Sequence, residues 1–197
     1  MPGYDTCLVE AELRARSAYT EPHRHYHDER HLDDCLWHLD QVHGLSERER
    51  RLLRWALLWH DAVYDPERTD NEEQSAEVAF GELTDCNVDE STASEVARLI
   101  SLTKGHRVET DDRLGALLVS IDLSILGSDR DRYRGYVDGV RQEYEPVPDD
   151  AWRAGRAAVL ERLLAADPLF PESSYRERFE EQARRNMERE LKELGEG

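Results

Sequence analysis

The residues of this chain best placed to do chemistry are His60 and Asp61, which close an apolar run, Leu52-Leu53-Arg54-Trp55-Ala56-Leu57-Leu58-Trp59. An imidazole and a carboxylate at the end of such a run are costly to bury unless something pairs with them, and a bound cation is the simplest partner. Upstream lies a histidine-rich stretch with His23, His25, His27 and His31, and downstream Ile121-Asp122-Leu123-Ser124 closes another apolar segment. A histidine, then His-Asp, then a distant aspartate is a metal-ligating order. Two imidazoles and two carboxylates can hold a divalent ion and leave positions open for water and substrate. Open positions belong to catalytic sites, so the expected chemistry is metal-assisted hydrolysis.

Helices must position these groups. Leu32, Cys35, Leu36, Leu39 and Val42 follow an amphipathic helical rhythm that Gly44 stops. Ser46 with Glu49 reads as a capping box for the helix that ends in His60-Asp61. Residues four apart share a helix face, so His60 lies with Leu52 and Ala56 on the core side, and Asp122 lies one turn beyond Leu118. Further helices are expected from Asn71 toward Leu83, from Asp89 or Ser91, through Leu114–Ile125, and over 129–144, 149–166 and 172–194. No alternating run is long enough for a strand, so the fold class is all-α. One domain over 1–197 is expected, with its body at about 18–187 and a solvated helical tail at 188–197.

Composition narrows the partners. A net charge of −18 argues against nucleic-acid and anionic-membrane surfaces, which call for basic patches. No run approaches the length of a membrane span, and Met1-Pro2-Gly3-Tyr4-Asp5 lacks the basic and apolar regions of a leader peptide. Cys7, Cys35 and Cys86, odd in number and widely spaced, read as idle reduced thiols of a cytoplasmic protein. Trp37, Trp152 and Phe170 are either core residues or contacts of a homodimer.

Several stretches carry a family resemblance: Glu21-Pro22-His23-Arg24-His25-Tyr26-His27, His60-Asp61-Ala62-Val63-Tyr64-Asp65-Pro66, Asp70-Asn71-Glu72-Glu73-Gln74-Ser75-Ala76, Asp122-Leu123-Ser124-Ile125-Leu126-Gly127 and Gly155-Arg156-Ala157-Ala158-Val159-Leu160. In these the chain resembles the HD-domain superfamily of metal-dependent phosphohydrolases, and within it a bacterial family of similar length. The resemblance implies an HD-type helical bundle with a metal site between core helices, in which His31, His60, Asp61 and Asp122 are the ligands. It implies one divalent ion (Mg, Mn, Co, Ni, Zn or Fe) rather than two, because His106 is the single histidine between Asp61 and Asp122.

Tyr26, His27 and His31 are also similar to the start of cyclic-nucleotide phosphodiesterase sites, which assigns His27 the protonation of the leaving oxygen. Asp28 stands there in place of the usual asparagine. Asp65 is the alternative donor, keeping part of the His-Asp-x-x-Glu-Asp pattern of (p)ppGpp hydrolases, whose glutamate Tyr64 replaces. Arg24, Lys104, His106 and Arg156 are candidate contacts to substrate phosphate, with Arg141 and Arg184 further arginines in similar segments. The expected partner is a small phosphorylated metabolite, a nucleotide above all. Two other readings stay open: a di-iron HD oxygenase, and a nucleotide-binding regulatory module without turnover.

Overall fold

The computed structural model describes residues 2–196, and among these the chain is all-α, with nine α-helices and two 3-10 turns. The helices are α1 (Pro2–Ala18), α2 (Glu29–Asp40), α3 (Glu47–Trp59), α4 (Asn71–Asp85), α5 (Glu90–Ser101), α6 (Arg113–Asp122), α7 (Arg130–Glu143), α8 (Asp149–Leu164) and α9 (Ser173–Gly195). Among the described residues no helix is long and apolar enough to cross a membrane.

The axis of the fold is α3. Its capping box forms as the sequence implies: Ser46 accepts from the Glu49 N–H at 3.2 Å, and Glu49 accepts from the Ser46 N–H at 2.7 Å. From there Leu52, Leu53, Trp55, Ala56, Leu57, Leu58 and Trp59 are all buried. Apart from Arg54 the second half of the helix is wholly apolar and must be surrounded, and α1, α2, α4, α5 and α6 pack against it. Each of its fully buried leucines contributes roughly 1.5–3 kcal/mol relative to exposure. The chain therefore delivers His60 and Asp61 into the centre of the molecule.

The sequence pattern shows no helix ahead of α2, yet α1 is present. Its buried contacts include Ala11 and Ala15, whose small side chains leave little hydrophobic periodicity to read. A disulfide joins Cys7 on α1 to Cys86 at the end of α4, across 79 residues. This corrects the expectation of three reduced thiols, and with it the thiol-based argument for a cytoplasmic setting. Cys35 is free and buried. Closing so long a loop stabilises by about 4–5 kcal/mol on the chain-entropy account. Reduction should therefore lower the melting temperature by several degrees in calorimetry; an unchanged transition after verified reduction would contradict this.

The tail also departs from expectation. Within α9, Glu190 is buried and accepts from Arg156 Nε at 2.7 Å and from the Tyr133 hydroxyl at 2.5 Å. Leu191 and Leu194 pack against the core, so the last helix closes α7 and α8 together rather than ending in solvent. Phe170 is core, whereas Trp37 is 51% exposed.

Candidate metal centre

Three elements bring the expected ligands together. Asp28 caps α2, its carboxylate accepting from the N–H groups of Arg30 and His31, and so fixes the turn that carries His31. His60 follows the last turn of α3, and Asp122 ends α6. His31 Nε2 lies 3.0 Å from His60 Nε2, 3.7 Å from Asp61 Oδ2 and 3.4 Å from Asp122 Oδ1. His60 Nε2 lies 3.0 Å from Asp61 Oδ2 and 3.6 Å from Asp122 Oδ1.

These separations test the fit of a metal. Ligand atoms about 2.1 Å from a shared ion sit about 3.0 Å apart at right angles and about 3.4 Å apart in a tetrahedron. The five distances fall around those values, and donors of this kind suit a divalent ion. His60 donates from Nδ1 to the Leu57 carbonyl at 2.7 Å, which leaves the Nε2 lone pair for the centre. The Tyr19 hydroxyl supports the same residues, accepting from the Asp61 N–H at 3.2 Å.

Electrostatics agree. Burial alone would push both carboxylates toward the neutral form, but His60 beside Asp61 holds that group below the ordinary carboxylate value. Likewise His106, His31 and His60 hold Asp122 well below it. Burial works against a charged His31; Cys35 and Asp122 outweigh it and lift the imidazole to about 10. The histidines carry the positive charge that two half-buried carboxylates demand. A bound metal would take over that role and release their protons.

The cluster opens into a cavity of about 560 Å³ whose lining includes His27, Asp61, Lys104, His106, Asp122 and Arg156. His27 is held by Glu143, a residue that sequence reasoning passed over. The Glu143 carboxylate accepts from the backbone N–H groups of His25, Tyr26 and His27 at 2.8–2.9 Å, and its other oxygen lies 2.8 Å from His27 Nδ1. The Tyr64 hydroxyl donates to the same carboxylate at 2.8 Å, and its ring stacks on His27. Burial opposes ionisation of Glu143, but His27 and the N–H groups of Tyr26 and His27 bring its carboxyl down to about 2. Gly139, one turn earlier on α7, makes this approach possible: a Cβ there would sit 2.9 Å from the His25 carbonyl oxygen. With Nδ1 committed, Nε2 is the nitrogen His27 has left for chemistry.

Other expected residues have different roles. Asp65 is not among the residues lining the cavity; its carboxylate accepts from the Glu67 N–H at 2.9 Å, closing the turn around Pro66. Arg24 is 5% exposed and donates to the carbonyls of Asp61 at 2.6 Å, His27 at 3.2 Å and Ala62 at 3.2 Å. It staples the His27 loop to the end of α3 and is not a substrate contact. Arg156 does line the cavity, with two of its nitrogens on Glu190. Lys104 reaches the rim while paired with Glu73. Arg141 and Arg184 bind the carbonyls of Tyr144 and Leu164.

His106 sits in the left-handed backbone region (φ 53°), which places its ring Nε2 3.1 Å from Asp122 Oδ2. Cys35, an idle thiol by its spacing in the sequence, places its Sγ 3.8 Å from His31 Nε2. One donor atom each from His31, Cys35, His60 and Asp122 lie within 4.8 Å of one another. The i, i+4 spacing of His31 and Cys35 on α2 was the available signal. For Glu143, 116 residues from His27, there was none.

Comparison with protein-family models, with curated proteins and with solved structures returns no match.

Proposed function

We propose that the chain is a metal-dependent phosphohydrolase of HD-domain type, cleaving a phosphoester of a small metabolite, with a nucleotide as the favoured substrate class. One observation carries this reading: imidazole and carboxylate donors from His31, His60, Asp61 and Asp122 stand at metal-ligand separations beside an open cavity. When bound, a divalent ion at these residues supplies Lewis acidity and lowers the pKa of water toward neutrality.

The chain's own residues account for the rest. His27, fixed through Nδ1 by Glu143, is positioned to give a proton from Nε2 to the departing oxygen. That leaves His27 rather than Asp65 as the donor. Arg162 on the cavity wall offers a guanidinium whose fork suits phosphate, while Lys104 and Arg68 on the same wall are paired with Glu73 and Asp70 and would have to exchange those partners for an anionic substrate. Tyr136, Tyr144 and Trp152 give the same cavity an aromatic side against which a nucleobase can pack. This combination favours nucleotides over small aliphatic phosphates.

The test is phosphate release from nucleoside monophosphates, cyclic nucleotides and sugar phosphates, each with Mg, Mn, Co, Ni or Zn. Metal-dependent release, fastest on nucleotides, is the expected result. Protein shown to hold metal that releases phosphate from none of them would sink the hydrolase reading in favour of oxidative or regulatory roles.

A further inference from the structure

The metal reading leaves one neighbour of the cluster without a role. The set of donors lying within 4.8 Å of one another contains Cys35 where the sequence order leads one to expect Asp61. Cys35 is 2% exposed and extends from the same face of α2 as His31, one turn on. Its sulfur lies 3.8 Å from His31 Nε2 and 3.9 Å from His31 Nδ1. A thiolate about 2.3 Å and an imidazole nitrogen about 2.05 Å from one ion are about 3.6 Å apart at a tetrahedral angle. Because Sγ is nearly equidistant from the two ring nitrogens it flanks the ring, about 2 Å short of an ion on the Nε2 lone-pair axis, a gap within reach of a rotation about the Cys35 Cα–Cβ bond.

We propose that the Cys35 thiolate is a further ligand of this centre, so that the site selects thiophilic ions such as zinc and cobalt(II) over magnesium and manganese. The proposal rests on the metal-centre reading above and deepens it. On binding, the thiol releases its proton to solvent and a sulfur lone pair forms the metal–sulfur bond; nothing is oxidised or reduced. Soft thiolate donors favour zinc and cobalt, whereas an all-oxygen and imidazole set discriminates less against harder ions. The disulfide between Cys7 and Cys86 keeps the other two sulfurs out of this chemistry.

Cobalt(II) loading of the oxidised full-length chain tests this, with one free thiol verified beforehand. The expected spectrum has visible d–d bands together with a near-ultraviolet thiolate-to-cobalt charge-transfer band. In Cys35→Val the d–d bands should remain and the charge-transfer band vanish, with the preference for zinc over manganese reduced about ten-fold or more. Cobalt bound stoichiometrically by the parent chain with d–d bands but no charge-transfer band overturns the role of Cys35 and leaves the metal centre standing. No cobalt retained, by elemental analysis, overturns both. The parent spectrum decides even if the valine variant fails to fold.

Discussion

His60→Ala should lose stoichiometric divalent metal and cut metal-dependent phosphate release by well over the roughly 10–100-fold that loss of a supporting residue alone costs. His60 Nε2 is the donor nearest both His31 Nε2 and Asp61 Oδ2, each at 3.0 Å. Removing it takes one imidazole from a set of two and leaves Asp61 and Asp122, both of which it faces, with less compensating charge. Two carboxylates without that partner tend to retain a proton, which opposes metal binding further. Asp122→Asn should behave similarly, because Asp122 Oδ1 faces both histidines and Oδ2 faces His106. Lys104→Ala makes a contrasting case: Lys104 pairs with Glu73 at the cavity rim and touches no ligand, so metal content should be retained and KM should rise. Elemental analysis beside kinetics separates these outcomes. Full metal content in His60→Ala would remove this residue from the ligand set.

The contrast between these residues shows what the sequence made legible. That His60 and Asp122 point inward and meet could be read because helix periodicity tells which side of α3 and α6 faces the core, and a polar residue on such a side needs a partner. Cap residues were equally legible: Ser46 and Asp89 start their helices through local side-chain bonds, Asp89 accepting from the Thr92 N–H at 3.0 Å. Arg24 shows the opposite. Its position beside His27 in sequence pointed to phosphate, while its bonds run to backbone carbonyls at the end of α3.

That use of arginine recurs and follows from helix chemistry. The last carbonyls of a helix lack intrahelical donors and carry partial negative charge. Arg50 donates to the carbonyls of Leu39 and Val42 around the end of α2, and Arg184 to those of Leu164 and Ala166 around the end of α8. Each guanidinium satisfies two carbonyls at once, which a lysine's single ammonium does less well in fixed geometry. The partner carbonyls are 8 to 20 residues away in these cases, so local sequence spacing gives no pointer to them. The same limit hid the disulfide, the Arg156–Glu190 pair and Glu143, all of which depend on how distant helices meet.

Glu143→Ala should destabilise the protein by about 3–5 kcal/mol, because it strands backbone donors that bind a buried charged acceptor. The carboxylate is 4% exposed and receives the N–H groups of His25, Tyr26 and His27, the Tyr64 hydroxyl and the His27 ring. Water has little access to replace it. Glu143→Gln separates charge from shape. The carboxyl titrates at about 2 in the folded chain against an ordinary value of 4.5, so the unfolded state takes up its proton first as pH falls. Stability from this group is complete above about pH 4.5 and is lost as pH drops toward about 2, a change of about 3 kcal/mol. The glutamine variant has no such proton to gain. Urea unfolding between pH 7 and pH 3 should show the parent stability falling more steeply than that of Glu143→Gln, the two curves converging in acid. Parallel curves would mean that the charge of Glu143 does not hold the His27 loop. At neutral pH the glutamine variant should also release phosphate more slowly at unchanged metal content, since the ring it orients is not a ligand. Loss of metal instead would place Glu143, through His27, in the support of the ligand set itself.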